Sequence, residues 1–194
     1  MNDWSGNTQA VMATLNASSL TDKERPFQDY YATPPEAAER LLEREAFSSV
    51  WECACGQGHI SEVLRKHGIL RYSSDLIDRG YGDQKDFLST QSIDSDIEII
   101  TNPPFSKSTE FVYKAMSLLS DGRKLALLLR IQFLESVKRK KLFEQYPPKY
   151  IYVFSRNIRC ARNGDFEHAT GNASTYAWFV WIKGFAGEPT VRWL

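Results

Sequence analysis

The sequence lacks an excess of charge of either sign. Lys and Arg together number 24, Asp and Glu together also number 24, and the 194-residue chain has a formal net charge of zero at pH 7. Without a global field, any attraction for nucleic acid has to come from basic side chains that cluster locally. Overall charge therefore favours no particular class of partner.

Long apolar runs are missing as well. No window approaches about 18 uninterrupted apolar residues, and the polar N-terminus has neither the basic nor the apolar region of a signal peptide. We therefore expect a soluble cytoplasmic protein that does not interact with a membrane.

Cysteine is scarce: the chain has three, an odd number that suits a reducing compartment. Cys53 and Cys55 lie two residues apart within an apolar run. No second Cys or His pair at zinc spacing accompanies them. We therefore expect these cysteines to be small buried side chains, and we expect no metal site.

The length and composition fit one folded unit. The chain falls within the roughly 100 to 200 residues of a typical domain, and 42% of its residues are hydrophobic. Residues 1–26 are rich in Ser, Thr, Asn and Asp and show no periodicity, which predicts a flexible arm. Residues 27–194 are predicted to form a single domain.

The first predicted helix covers about 34–45. Thr33 is a suitable N-cap, Pro34 suits the first helical position, and Glu36 completes a capping box. The positive N-terminal end of this helix, flanked by two tyrosines, could face an anionic ligand. An ordinary capped helix explains the same residues equally well.

A pair of glycines follows the first predicted strand, at 49–55. The chain runs through Gly56-Gln57-Gly58 into a helix at 59–67, then into a second strand at 70–74 that ends at Asp75. Glycines after a first strand let a ligand approach the backbone closely, and an acid at the end of the next strand can hold ribose hydroxyls.

This arrangement departs from the dinucleotide-binding fingerprint. That fingerprint needs a third glycine, and Ser61 stands at its position. A nucleoside cofactor without a pyrophosphate fits better than NAD, because close backbone approach is still required whereas a phosphate cradle is not.

Periodicity predicts the remaining elements: strands at 97–101, 124–129, 150–154 and 176–183, and helices at 108–119 and 134–145. Asp86 and Phe87 could hold and cover an adenine, or they could be a turn residue and a core aromatic. The basic run 138–141 is either a solvated helix face or a phosphate contact.

About 20 residues between the last two predicted strands show no element of their own. A loop of that length in a compact domain is usually functional or mobile. Its arginines, Arg156, Arg159 and Arg162, make it the predicted substrate-contact surface.

The apolar run at 97–101 stops at Asn102-Pro103-Pro104-Phe105. Proline fixes its own φ and holds the preceding residue extended, so these residues form a stiff bracket at a strand end. The Asn102 side-chain oxygen and the Pro103 carbonyl can accept the two hydrogens of an exocyclic amine, while Phe105 stacks on its ring. A plain strand followed by a proline turn is the alternative.

These stretches together resemble the motifs of S-adenosylmethionine-dependent amino-methyltransferases, especially N6-adenine DNA methyltransferases. The resemblance covers about 27–183 and rests on Trp51-Glu52-Cys53-Ala54-Cys55-Gly56-Gln57-Gly58, Asp75, Asn102-Pro103-Pro104-Phe105 and Thr33-Pro34-Pro35. Small phage and prophage members look similar at residues 74–82, 86–88 and 176–181.

The resemblance implies a fold, a cofactor and residue roles. The fold is an α/β Rossmann-like class I methyltransferase fold: a seven-stranded, mostly parallel sheet with helices on both faces and its last strand antiparallel. The cofactor is S-adenosylmethionine, with S-adenosylhomocysteine as product. The implied cofactor contacts are Tyr31, Thr33, Pro34, Glu52, Ala54, Gly56, Gly58, Asp75, Asp86, Phe87 and Asn102; residues 102–105 are the implied catalytic bracket.

Two departures from the family pattern bear on function. Cys53 replaces a proline common in the first motif, and only about 20 residues separate the bracket from the next strand, too few for a separate target-recognition domain. The sequence predicts methylation of the N6 amine of adenine in DNA. Methylation of an RNA base or a protein glutamine, or a non-catalytic subunit that binds cofactor or nucleic acid, are the alternatives.

Overall fold

The computed structural model describes residues 30–156, 158–162, 166 and 175–194. The predicted N-terminal arm at 1–26 and the expected start of order at Phe27 lie outside these ranges, as does the side chain of Arg162.

The described residues form ten strands and four α-helices. The strands are β1 (Tyr31–Ala32), β2 (Val50–Glu52), β3 (Leu70–Asp75), β4 (Asp83–Gln84), β5 (Glu98–Thr101), β6 (Lys124–Arg130), β7 (Tyr150–Val153), β8 (Ala161–Arg162), β9 (Tyr176–Ile182) and β10 (Thr190–Trp193). The helices are α1 (Pro35–Leu42), α2 (His59–Lys66), α3 (Ser108–Leu118) and α4 (Val137–Gln145).

Eight of the strands form one sheet in the order β10-β7-β9-β6-β5-β2-β3-β4. All neighbours pair in parallel except at β9, which is antiparallel to both β6 and β7. Parallel strands need crossover connections, so helices come to lie on the sheet faces.

The sheet separates two apolar cores. Along β6, Leu125, Leu127 and Leu129 join the core beneath α3 and α4, whereas Ala126 and Leu128 join the core beneath α1 and α2. All five are at most 1% exposed. From Leu125 to Leu129 this strand is therefore apolar at every position, as expected of a strand covered on both faces.

The predicted fold class is confirmed, and the strand count differs from the prediction. The sheet has eight strands instead of seven, and antiparallel β9 is followed by parallel β10. All four residues of β10 are exposed, so this strand lacks the burial pattern by which sequence analysis recognises strands. Strand β4 has only two residues, too few to show a period.

Two helix predictions were too long. The segment predicted as a helix at 134–145 begins with a 3-10 turn, Ile131–Leu134, and α4 starts only at Val137. Ser136 separates the two, because its side chain accepts a hydrogen bond from the Lys138 N–H and caps α4. Helix α1 ends at Leu42, three residues before the predicted end.

The first predicted strand was also too long: β2 ends at Glu52, so Cys53 and Cys55 lie in the loop that follows it. Both cysteines are buried, as expected, and neither forms a disulfide.

The predicted loop between β7 and β9 contains an element. β8 pairs antiparallel with β1, with Tyr31 opposite Arg162 and Ala32 opposite Ala161. A strand of two residues is too short to show a period in the sequence. Its pairing partner lies about 130 residues away along the chain, so the pairing is not evident locally either. The ribbon fixes β1 over the edge of the sheet at which β5 ends.

Candidate active site

A cavity of about 610 Å³ opens where β2, β3 and β5 end. Its volume lies within the range of small-molecule sites, and the carboxyl ends of parallel strands are where ligands of open α/β sheets bind.

Most of the predicted site residues line this cavity: Tyr31, Thr33, Glu52, Ala54, Asp75, Asp86, Phe87, Asn102, Pro103, Pro104 and Phe105. Pro34, Gly56 and Gly58 do not line it. Arg156 and Arg159 are exposed and lie outside the lining, and of Arg162 only the backbone, in β8, is described.

The glycines of the β2–α2 loop make room for two tyrosine rings. Gly56 and Gly58 both have positive φ, +55° and +85°. A Cβ at Gly56 would lie 2.4 Å from the Tyr30 ring, and one at Gly58 would lie 2.5 Å from the Tyr81 ring. Tyrosine rings occupy the space that a Cβ at each of these glycines would need.

Asp75 closes the glycine loop from the neighbouring strand. Its Oδ2 accepts a hydrogen bond from the Gly56 N–H at 2.8 Å, and its Oδ1 accepts from the Ile77 N–H at 3.0 Å. A carboxylate has about four acceptor positions, so each oxygen keeps one for a further donor. The carboxylate is thus held in place and remains able to accept hydroxyl hydrogens in the cavity.

Asp86 and Phe87 have the turn and core roles that were the alternative to adenine binding. The Asp86 carboxylate accepts from the Leu88 N–H at 2.9 Å and caps a short 3-10 turn. The Phe87 ring is only 3% exposed and packs against Trp51 and Phe111. These are the turn and core roles, yet both residues also line the cavity.

Glu52 is the buried acid of the cavity floor. It is 1% exposed, and its Oε2 accepts a hydrogen bond from the Ser61 hydroxyl. Ser61 Oγ also lies 2.5 Å from Ser73 Oγ. Burial raises the pKa of Glu52 well above its ordinary value, while the Ser61 hydrogen bond acts in the opposite direction. Ser61, at the position of the missing third glycine, thus fixes this carboxyl group.

The Asn102 side chain is oriented by two acceptors from the segment before α1. Its Nδ2 donates to the Tyr31 carbonyl at 2.9 Å and to Thr33 Oγ1 at 3.0 Å. Its Oδ1 is buried and accepts no hydrogen bond from the described residues. Because both amide hydrogens are engaged, the carbonyl oxygen is the group left for a ligand.

This arrangement corrects the prediction that Thr33 caps the first helix. The N-cap is Pro34, which makes no side-chain capping bond, and α1 begins at Pro35. Thr33 is 3% exposed, and its hydroxyl oxygen accepts from Asn102 instead. The predicted capping box with Glu36 is therefore wrong.

The Phe105 ring belongs to an aromatic cluster that sequence analysis did not predict. Its centre lies 5.8 Å from the Tyr31 ring and 6.0 Å from the Tyr176 ring. The guanidinium carbon of Arg130, at the end of β6, lies 4.9 Å from the Phe105 ring centre. Burial raises the pKa of Tyr176 to about 12, so this phenol is neutral at physiological pH. No short-range sequence signal links these residues, because they come from four separate segments.

Sequence analysis also missed part of the cavity lining. Tyr30 covers the glycine loop, and the Arg79 guanidinium carbon lies 4.2 Å from the Tyr30 ring centre. Arg79 lies within residues 74–82, and Tyr30 lies three residues before Thr33-Pro34-Pro35. The family resemblance of these stretches is the sequence signal that could have identified both residues. Further lining residues not predicted are Ala32, Cys53, Cys55, His59, Ile60, Leu76, Ile77, Leu88, Ser106, Lys107 and Phe111.

Within the described ranges, no group of three or more His, Cys, Asp or Glu side chains is arranged to hold a metal ion. No helix of the described part of the chain is long and apolar enough to cross a membrane.

Three solved structures with the same fold are distant in sequence from this chain. A proposed class I S-adenosylmethionine-dependent methyltransferase of Listeria monocytogenes superposes with a TM-score of 0.59 at 12% identity, over 96% of this chain and 71% of that protein. A proposed RNA methyltransferase of Pyrococcus horikoshii gives 0.58 at 15% identity, over 88% and 96%. The type IIG restriction endonuclease BpuSI gives 0.52 at 12% identity, over 79% of this chain and 24% of that protein.

The chain has the class I methyltransferase fold. Comparison with protein-family models and with curated protein sequences finds no match. At these identities the structural likeness defines the fold alone, so the reaction has to be argued from the site.

Proposed function

We propose that this protein transfers a methyl group from S-adenosylmethionine to the N6 amine of adenine in DNA. The observation that carries the proposal is the Asn102 side chain: its Nδ2 is held by Tyr31 and Thr33, and its buried Oδ1 has no partner among the described residues. A buried acceptor without a donor is costly, which favours a ligand that supplies one.

The bracket offers two acceptors for one amine. Asn102 Oδ1 is the first, and the Pro103 carbonyl is the second. The short turn at 105–107 uses the Pro104 carbonyl, which accepts from the Lys107 N–H at 2.8 Å, and so does not engage Pro103. Two acceptors on the amine hydrogens turn the nitrogen lone pair away from the conjugated ring, and the nitrogen becomes the nucleophile. It gains a methyl group and loses one proton.

The residues of the cavity fit the proposed cofactor. Asp75, at the end of β3, keeps acceptor capacity for ribose hydroxyls. By the motif resemblance, Asp86 and Phe87, which line the cavity, would hold the adenine, and Glu52 with Tyr31 and Thr33 would contact the methionine part. When bound, the cofactor supplies an electrophilic sulfonium methyl group, and positioning can then provide most of the catalysis.

The substrate class rests on the motif resemblance and on Phe105. An aromatic ring beside the two acceptors suits a planar base, whereas a glutamine amide presents no ring to stack. Adenine N6 in DNA is therefore the proposed target, and RNA bases and protein glutamine are outcomes that the test distinguishes.

Asn102→Ala tests the bracket. We expect methyl transfer to fall by about a hundredfold or more, while the Kd for S-adenosylmethionine in calorimetric titration changes only a few-fold. Transfer at the wild-type rate in this variant would refute the mechanism.

The substrate is tested by offering labelled S-adenosylmethionine with DNA, RNA and protein pools in parallel. Digestion of the labelled DNA to nucleosides should give labelled N6-methyl-2′-deoxyadenosine. Label in RNA or in protein alone would replace the substrate assignment, and cofactor binding without transfer to any pool would favour a non-catalytic subunit.

A further inference from the structure

The segment 134–141, here called the 134–141 tip, follows the end of β6 that adjoins the proposed base site. β6 ends at Arg130, whose guanidinium carbon is 4.9 Å from the Phe105 ring centre. The 3-10 turn Ile131–Leu134 leaves the sheet at that point. Such a turn rises about 2 Å per residue, so Leu134 is reached within roughly 8 Å along the turn.

The tip is anchored to the protein. Phe133 is 7% exposed, and its ring packs edge-on against Phe143 and Phe179 at 5.7 and 5.6 Å. Arg139 covers Phe133 at 4.9 Å and donates to the Gln132 carbonyl at 2.9 Å. These contacts hold the turn in place, and the position of the turn determines how far the neighbouring side chains are exposed.

Two apolar side chains, one at the end of this turn and one at the start of α4, project into solvent. Leu134 is 43% exposed and Val137 is 89% exposed, the largest value among the exposed large apolar residues described. Single exposed apolar residues are common, but two within four positions at a loop tip form a patch of the kind that contacts partners.

Basic side chains surround the apolar pair. Residues 134–141 contain four cationic residues, at 138–141, and one acid, Glu135. Lys138 and Lys141 are exposed and form no ion pair with another described residue, whereas Lys140 pairs with Glu144 at 3.7 Å. In a chain of zero net charge, this run is the local cluster that a polyanion would meet.

We propose that the 134–141 tip is a contact surface for duplex DNA, in which Leu134 and Val137 enter the base stack beside the extruded adenine and Lys138 and Lys141 bind the flanking phosphates. This inference rests on the proposed function. Extruding a base costs a few kcal/mol of unstacking, and proteins that distort a duplex insert apolar side chains between base steps. A single strand has no stack to fill, so the apolar pair matters only on duplex substrates.

The test measures methyl transfer by Leu134→Ser/Val137→Ser to a duplex oligonucleotide and to its adenine-containing single strand. We expect kcat/KM on the duplex to fall by about tenfold or more, with the single-strand value within about twofold of wild type. Val191→Ser is the matched control, because Val191 is also exposed but lies on β10, separated from β6 by two strands. It should change neither value.

An equal loss on both substrates, or no loss on either, would overturn the proposal. So would a wild-type enzyme that methylates only single strands, although the proposed amine methylation would then stand. A wild-type protein that binds S-adenosylmethionine and methylates neither form of DNA refutes the proposed function itself, and this inference with it.

The lysines have a separate readout. Lys138→Ala/Lys141→Ala should weaken duplex binding and lower the slope of log affinity against log salt concentration by about 1 to 2. An unchanged slope of log affinity against log salt concentration would show that Lys138 and Lys141 do not contact phosphates.

Discussion

Thr33 shows how one side chain outside the Asn-Pro-Pro-Phe motif controls that motif's chemistry. Its oxygen is one of two acceptors that hold Asn102 Nδ2, and it is almost fully buried. Without it, the amide keeps only the Tyr31 carbonyl. The Asn102 carbonyl oxygen would then be less well directed towards a substrate amine.

We therefore predict that Thr33→Val, which keeps the shape and removes the acceptor, lowers kcat by about 5- to 30-fold, the loss expected for one buried hydrogen bond. Thr33→Ser should restore most of the rate, because it keeps the hydroxyl. A steady-state assay of the two variants tests this prediction. Equal kcat values for Thr33→Val and Thr33→Ser would mean that the Thr33 hydroxyl does not orient Asn102.

Glu52 predicts a pH dependence of stability. Burial raises its pKa in the folded protein, so the folded state holds a proton that the unfolded chain releases above about its ordinary value of 4.5. The stabilisation from this group is complete below that value and is lost as the pH rises towards the raised pKa of the folded state.

Glu52→Gln removes this titration. In urea unfolding without added ligand, the wild-type free energy of unfolding should fall as the pH rises above about 5, by up to about 1.4 kcal/mol per pH unit more steeply than that of the variant. Parallel pH profiles for the two proteins would show that Glu52 is ionised in the folded state over this range.

At the scale of elements, the β2–α2 loop is fixed by backbone conformation and by packing together. Gly58 combines a φ of +85° with a Tyr81 ring in the place of its missing side chain. Tyr81 is itself held, because its hydroxyl donates to Glu62 at 2.8 Å and accepts from Arg65 at 2.7 Å.

Gly58→Ala should therefore destabilise the protein by about 1 to 3 kcal/mol. In a double-mutant cycle with Tyr81→Ala, part of this loss should disappear, because removing the ring relieves the clash but not the backbone strain. Additive losses of free energy of unfolding would mean that backbone strain alone makes glycine necessary here.

At the scale of the whole molecule, the strand added at the edge of the sheet is separate from the candidate site. β7, β9 and β6 lie between β10 and β5. β10 is tied to its neighbour by backbone bonds that include Leu194 N–H to the Val153 carbonyl at 2.9 Å. It thus lengthens the sheet without contributing to the cavity.

Ending the chain after Gly187 should lower Tm by several degrees, since the β7 edge loses its partner. Methyl transfer below the transition temperature should stay within about threefold of the full chain, because the cavity lining is intact. Trp193→Ser, a change at an exposed side chain, is the control and should alter neither value. A much larger loss of kcat on truncation would show that β10 supports the site.

The sequence by itself determined much of this protein. Strands buried on both faces form nearly continuous apolar runs, and this predicted β5, β6 and β9 within about one residue, because burial on both faces leaves no polar alternation. The bracket at 102–105 and Asp75 were equally predictable, because proline restriction and strand-end position are local properties of the chain. Most of the residues so predicted line one cavity.

Only the tertiary structure decided which partners these residues meet. Thr33 bonds Asn102 instead of capping a helix, tyrosine rings fill the space above the glycines, and β8 pairs with β1 across about 130 residues. A hydroxyl can satisfy either a helix end or a distant amide, and a glycine can admit either a ligand or a ring. The choice depends on which groups the folded chain brings within contact distance, and local sequence does not contain that information.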